Sequence, residues 1–267
     1  SFSQGATLMA EANGATNTAA TFSGRLDFNN TTAAGFTITT QTNQALTLSG
    51  VIKGSAGFTK TGNGTLTLSA QNFFDGVGTL SGQIVVTGGL VNIGNARSLG
   101  SYGVGNETII QSGATLDLRG QALNVADDAS AAREIIQISG NGYLGFGALR
   151  NTTGTGTISN LHLLGDSLIS SASRIDISGY DMDPTPGVSF TRPTLIGNGN
   201  SLTKIGVNDF DLIETLVSGV DKITIAEGEM RAETRAQFGL ANNVTTTNPI
   251  GVGGDATPVN LYPNTLF

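Results

Sequence analysis

Few residues in this chain have types and spacings suited to chemistry. His162, in "NLHLLG", is the single histidine. A Ser-His-Asp triad needs a serine nucleophile beside its base, and Asp166 and Ser167 follow closely, but no GxSxG elbow accompanies them. One histidine in a chain without cysteine makes no zinc site of His and Cys ligands. His162 falls on the polar phase between Leu161 and Leu163, so it is expected to face solvent from a strand. "RIDISGYDMDP" brings Asp176, Asp181 and Asp183 together. Calcium takes six to eight oxygens, which makes Asp181 and Asp183 the calcium candidates. Neither an EF-hand loop nor a nonapeptide calcium array surrounds them, and a solvated loop is the better reading. Asp117 with Arg119, and Arg174 with Asp176, are i,i+2 pairs that share one face of a strand. Such pairs suit polysaccharide cleavage on an outer face, or they are simple surface ion pairs. With no complete constellation, the expectation is a protein that is not an enzyme and needs no cofactor.

Composition narrows the partners. The net charge is −7, with 13 Lys and Arg against 20 Asp and Glu, so phosphates would be repelled and nucleic acid is excluded as a partner. No apolar run reaches the roughly 18 residues that span a bilayer. The absence of cysteine rules out disulfides and thiolate chemistry. Glycan binding commonly uses exposed aromatic platforms, and there is no Trp and only four Tyr. Two formal glycosylation sequons, at Asn30 and Asn106, read as turns in an Asn- and Thr-rich chain. The first residues show no charged, apolar leader, as expected of a mature product or a fragment.

The elements that would position any site are strands. Helical periodicity is poor, and glycine interrupts it. Alternation of apolar and polar residues appears at 45–50, 65–69, 83–86, 90–93, 114–120, 134–140 and 174–179, each run ending at Gly, Asn or a polar residue. Their spacing is regular. Leu48 to Leu68, Leu118 to Ile138 and Ile138 to Ile158 are each 20 residues; Ile158 to Ile177 and Ile177 to Ile196 are each 19. A steady period of this size marks a solenoid, with roughly a dozen coils about 4.8 Å apart. The expected core includes Leu66, Leu68, Ile84, Val86, Leu116 and Leu118.

A longer echo supports repetition. "FTKTGNGTLTLS" at 58–69 matches "LTKIGVNDFDLI" at 202–213, and "QIVVTGGLVNIGNARSLG" at 83–100 matches "KITIAEGEMRAETRAQFG" at 222–239. Ile84 falls on Ile223, Val86 on Ile225, Gly89 on Gly228 and Gly100 on Gly239. Core-facing positions and glycines with positive φ persist in this way while surface residues change. All six prolines lie at or beyond Pro184, where they cannot interrupt the earlier ladders. The expected organisation is an N-terminal cap or connector at 1–21, a solenoid at 22–244 with a loop insertion near 180–193, and a C-terminal tail at 245–267.

Across 45–120, "LTLSGVIKGSAGFTKTGNGTLTLS", "GQIVVTGGLVNIGNARSLG" and "SGATLDLRG" resemble the autotransporter-associated β-strand repeat (passenger-associated transport repeat) of bacterial surface proteins. The resemblance covers about 75 residues and recurs in fainter form at 202–239. It implies an all-β, right-handed parallel β-helix on the extracellular face of a bacterium, and it specifies no activity. No amphipathic barrel sequence follows at the C-terminus, a departure from the family's pattern. The leading expectation is a structural subunit that assembles with copies of itself, head to tail, into a filament, sheath or layer. In that reading the segments 1–21 or 245–267 cover a neighbour's open edge. The alternative is an adhesin passenger segment that binds a host surface or glycan; a polysaccharide lyase or hydrolase stands third.

Overall fold

In the computed structural model, the residues described are 5–10, 18–28, 35–74, 82–123, 133–179, 192–233, 236–238, 243–246, 250–252 and 260–261. All seven alternating runs contain strands: Gln44–Leu48, Thr65–Leu68, Ile84–Val86, Gly89–Ile93, Ala114–Asp117, Ile135–Gly140 and Ile175–Ile177. Every strand pairing among the described residues is parallel. One turn of 3-10 helix, Tyr143–Gly145, is the only helix among them.

The strands form three ladders that the chain visits in a fixed order. The first ladder runs through Thr7–Ala10, Phe36–Thr40, Phe58–Thr61, Ile84–Val86, Thr108–Ile110, Ile135–Gly140 and the first half of Asn160–Ser171. It continues through Thr194–Ile196, Leu216–Ser218, Gln237–Phe238 and Asn260–Leu261. The second holds Thr18–Phe22, Gln44–Leu48, Thr65–Leu68, Gly89–Ile93, Ala114–Asp117 and Leu149–Asn151. It goes on through the second half of Asn160–Ser171, Leu202–Ile205, Lys222–Ile225 and Asn243–Thr246. The third has two parts. Leu26–Phe28, Ile52–Gly54 and Phe73–Phe74 make the earlier one. Gly156–Ile158, Ile175–Ile177, Asp209–Ile213, Glu229–Glu233 and Ile250–Val252 make the later one. The 12-residue strand Asn160–Ser171 spans a corner and fuses the first two ladders into one 20-stranded sheet.

Each pass through the ladders is one circuit, and its inward side chains lie on those of the next circuit. Leu46 and Leu48 align with Leu66 and Leu68, which align with Val91 and Ile93. All six expected core residues, Leu66, Leu68, Ile84, Val86, Leu116 and Leu118, are at most 1% exposed. Phenylalanines fill the early circuits: Phe28 stacks on Phe36 at 4.3 Å, and Phe58 meets Phe28 and Phe74 edge-on at 6.1 and 5.9 Å. Burying each such side chain contributes about 1.5–3 kcal/mol.

The period is less uniform than the sequence suggests. Leu48 does align with Leu68, and Ile158 with Ile177. Ile138, however, aligns with Leu163 and not Ile158, and Ile177 with Leu212 and not Ile196. Corners absorb insertions without disturbing the strands, so the separation between aligned residues varies while the ladder register holds. The ladders also run into both segments expected to stand apart as ends. Thr7–Ala10 and Thr18–Phe22 pair within the first, and Ile250–Val252 and Asn260–Leu261 within the last.

Replacing Leu68 with Asp places a charge in a column with Leu48 and Ile93 on either side. It should lower stability by at least about 3 kcal/mol, read as a shifted denaturant midpoint by circular dichroism. A change under about 0.5 kcal/mol would contradict the inward placement.

Candidate functional site: buried staples and a charged face

The repeated "TK" segments place the same side chain at two corners. Lys60 and Lys204 are both 0% exposed. Lys60 aligns with Ile38 and Val86, and Lys204 with Ile169 and Ile225, so each lysine occupies an inward, otherwise aliphatic column. The apolar stem lies in the core and the ammonium reaches the corner. Lys60 Nζ donates to the carbonyls of Gly62 (2.5 Å), Gly64 (2.9 Å) and Gly88 (2.7 Å). Lys204 Nζ donates to Gly206 (2.5 Å), Asn208 (2.5 Å) and Glu227 (2.8 Å). Two acceptors in each set belong to the lysine's own corner, and the third belongs to the next circuit. Three carbonyl dipoles converge on each ammonium, whose three donors meet all three. Gly64 O also accepts from Leu90 N and Asn208 O from Ser171 Oγ, so two in each set depend on the lysine.

One of the two glycine pairs matched in the sequence is explained by this geometry; Gly239 of the other pair lies outside the described residues. Gly89 and Gly228 have φ of 69° and 68°, and a Cβ there would stand 2.6 and 2.4 Å from Nζ of Lys60 and Lys204. The two copies are not on equivalent faces. Phe58–Thr61 lies in the first ladder, but Leu202–Ile205 lies in the second. The later copy is shifted by one side of the circuit, so the unit that repeats is the corner. Burial pushes Lys60 down to about 7. It pushes Lys204 down to about 8, with Asp209 and Glu227 opposing.

Asparagines staple other corners. Asn72 accepts from Ile52 N (2.8 Å) in the preceding circuit and donates to Ser98 O (2.6 Å) in the following one. Asn151 likewise accepts from Gly120 N (2.8 Å) and donates to Arg174 O (2.7 Å).

The charged candidates fall into ion-pair networks. Asp117 pairs with Arg150 of the next circuit at 2.9 Å, and Arg119 contributes its backbone N–H (3.1 Å). The i,i+2 partner expected from sequence is thus replaced by a cross-circuit one, because the ladder brings Arg150 directly alongside Asp117. Arg174 does pair with Asp176 (2.7 Å), and it also reaches Asp211 (2.8 Å). Arg231 joins Asp209 and Glu229, each at 3.1 Å. Burial pushes Asp211 up to about 7, with Arg174 opposing. Its side chain is 0% exposed, so a substrate cannot reach it for proton transfer. The Arg174–Asp211 contact is charge pairing without good hydrogen-bond alignment.

His162 is half-buried on the first ladder, where burial lowers its pKa and Glu107 opposes. Ser167 Oγ is engaged with Ile138 O (3.2 Å) and Gly165 O (2.8 Å), and Asp166 accepts from Ser201 N (2.8 Å). Asp181 and Asp183 lie outside the described residues. No group of three or more metal-ligating side chains occurs among the described residues. Asn106 is buried and donates to Tyr102 O, which removes it as an accessible acceptor for glycosylation in the folded chain.

Glu134 is a buried acid that sequence reasoning did not single out. It is 0% exposed, with Thr108 beside it, yet neither carboxyl oxygen makes a well-formed hydrogen bond among the described residues. Burial raises its pKa well above the usual carboxylate value, and Glu107 adds to the effect.

Over 186 residues, 70% of its length, the chain is 27% identical to an adhesin, the BmaC autotransporter of Brucella suis biovar 1 (strain 1330). It spans only 4% of that protein's length. No family model matches the chain. No solved structure matches it significantly.

Two predictions follow from these staples and this acid. Lys60→Met and Lys204→Met each remove a trivalent donor and strand two carbonyls that have no other partner among the described residues. Each should cost about 2–5 kcal/mol in chemical denaturation; unchanged stability would show the ammonium to be dispensable. For Glu134 the folded form holds its proton more tightly than the unfolded form. Its contribution is therefore fully present below the ordinary glutamate value and is lost as pH rises through the raised folded value. Glu134→Gln should flatten that part of the stability–pH curve and raise stability at pH 8. A variant curve parallel to the parent's would contradict this assignment.

Proposed function

We propose that this chain is a length of right-handed parallel β-solenoid, of the autotransporter-associated repeat type, within the extracellular passenger of a bacterial adhesin. The carrying observation is the likeness to an autotransporter adhesin over 70% of the chain. Ladders that keep their parallel register from Thr7 to Leu261 support the coil geometry. Such a rod holds binding surfaces away from the cell, and its corners can vary without disturbing the stack. We assign it no catalytic role and no cofactor, a reading supported by the sealing of Asp211 and the mutual pairing of the charged candidates.

Self-assembly into a filament was the stronger expectation from sequence, with the ends acting as arms. Strands within both end segments pair with the chain's own neighbouring circuits, which favours the passenger reading. Sedimentation velocity tests the choice. An elongated monomer over a hundredfold concentration range is expected, together with saturable binding of the chain to cultured epithelial cells. Concentration-dependent polymers without cell binding would restore the filament reading. Turnover of acidic polysaccharides, with or without calcium, would overturn the non-enzymatic assignment.

A further inference from the structure

From the circuit of Phe36–Thr40 to that of Thr108–Ile110, the corners between the first and second ladders are short. They run from Thr40 to Gln44, Thr61 to Thr65, Val86 to Gly89 and Ile110 to Ala114. Between Gly140 and Leu149 the corner is longer, and it carries Leu144 at 72% and Phe146 at 43% exposure. Leu144 has φ 53°, a left-handed conformation that a branched L-residue adopts under strain and glycine adopts freely. Glycines at 142, 145 and 147 flank it with φ of 80°, 77° and 93°.

This corner is held rigidly. Thr115, fully buried on the preceding circuit, accepts from Tyr143 N and donates to Gly147 O, both at 2.8 Å. Gly147 N donates to Asn141 O, and Phe146 N to Tyr143 O, each at 3.0 Å. Tyr143 and Phe146 meet edge-on at 6.4 Å, and the Arg150 guanidinium lies 5.0 Å from the Phe146 ring centre. Arg150 gives its Nε to Asp117, which leaves both Nη groups without a partner among the described residues. Strain at an exposed leucine does nothing for the core, whereas Tyr, Phe and Arg, types enriched at protein interfaces, surround this projecting apolar side chain in a preformed corner with little ordering entropy left to lose.

We propose that the corner formed by Tyr143, Leu144, Gly145 and Phe146 is a contact point for a protein on the target surface. Leu144 enters an apolar pocket of that partner, and the Arg150 Nη groups meet a carboxylate at the pocket's rim. A glycan fits less well. A sugar ring needs a broad open aromatic face, but here Arg150 lies across Phe146 and the foremost group is an aliphatic side chain. This inference rests on the adhesin reading above.

The test uses the labelled full chain on monolayers of cultured mammalian epithelial cells, either untreated, trypsin-treated or periodate-oxidised. The parent chain should bind saturably, and trypsin but not periodate should remove the binding. Leu144→Gly and Phe146→Ala should each weaken binding at least tenfold. Val207→Ala, at a separate corner whose valine is 79% exposed, should leave it unchanged. The thermal midpoint of Leu144→Gly should hold or rise, since glycine relieves the left-handed strain. Leu144→Gly and Phe146→Ala variants that bind like the parent would overturn the contact point while leaving the adhesin reading intact. Binding that survives trypsin and is lost on oxidation would overturn the protein partner in favour of a glycan. A parent chain that binds no cells would overturn the adhesin reading and this inference with it.

Discussion

Backbone carbonyls at the corners are the constraint on which this structure turns. Along the strands, parallel ladders pair every N–H and C=O with the circuits above and below. At a corner the chain changes direction, and carbonyls such as those of Gly62, Gly88, Gly206 and Glu227 point where no strand N–H meets them. Leaving several buried carbonyls unpaired would cost more than a domain's margin of stability allows. The chain meets the constraint with side chains that have several donors: Lys60, Lys204, Asn72 and Asn151. Each joins adjacent circuits, and Lys60, Lys204 and Asn151 also cap their own turns. The staples and the apolar columns therefore act together, one fixing where the circuit bends and the other fixing what lies inside.

Much of this architecture was legible in the residues. Alternation located seven strands, and the expected core residues lie in the interior, because a two-residue period on a half-buried strand is an unambiguous signal. The circuit length was legible only in part. Apolar residues recur on every face, so a spacing of 19 or 20 connects different ladders as readily as aligned positions. The distinction between Ile138 aligning with Leu163 and with Ile158 depends on corner lengths, which the alternating pattern does not record.

The twin segments were visible, but their purpose was not. Neither Lys60 nor Lys204 stands out in the repeat, because a charged residue beside polar neighbours carries no obvious sign of burial. Their phase held the clue: in "FTKT" and "LTKI" the lysine sits two residues from an inward Phe58 or Leu202, on the same side of the strand. A lysine on the apolar phase, followed two residues later by glycine, marks a corner staple. Glu134 carries the same clue, since it opens the run 134–140 in phase with inward Ile136 and Ile138, although its unpartnered burial depends on packing from other circuits. The ion pairs of Asp117 and Asp211 likewise required the ladder register, which brings Arg150 and Arg174 from neighbouring circuits.

Register between successive circuits underlies every staple, column and ion pair described, and the cysteine-free chain permits a direct measurement of it. Thr47 and Thr67 are outward partners in adjacent circuits, whereas Thr65 is displaced from Thr47 by two positions. Cysteines at 47 and 67 would have Cα atoms about 4.8 Å apart, within the range a disulfide spans; cysteines at 47 and 65 would exceed about 7 Å. Mild oxidation should close the first pair nearly completely and leave the second open. Closure of the second pair, or of neither, would contradict the parallel stacking on which the account stands.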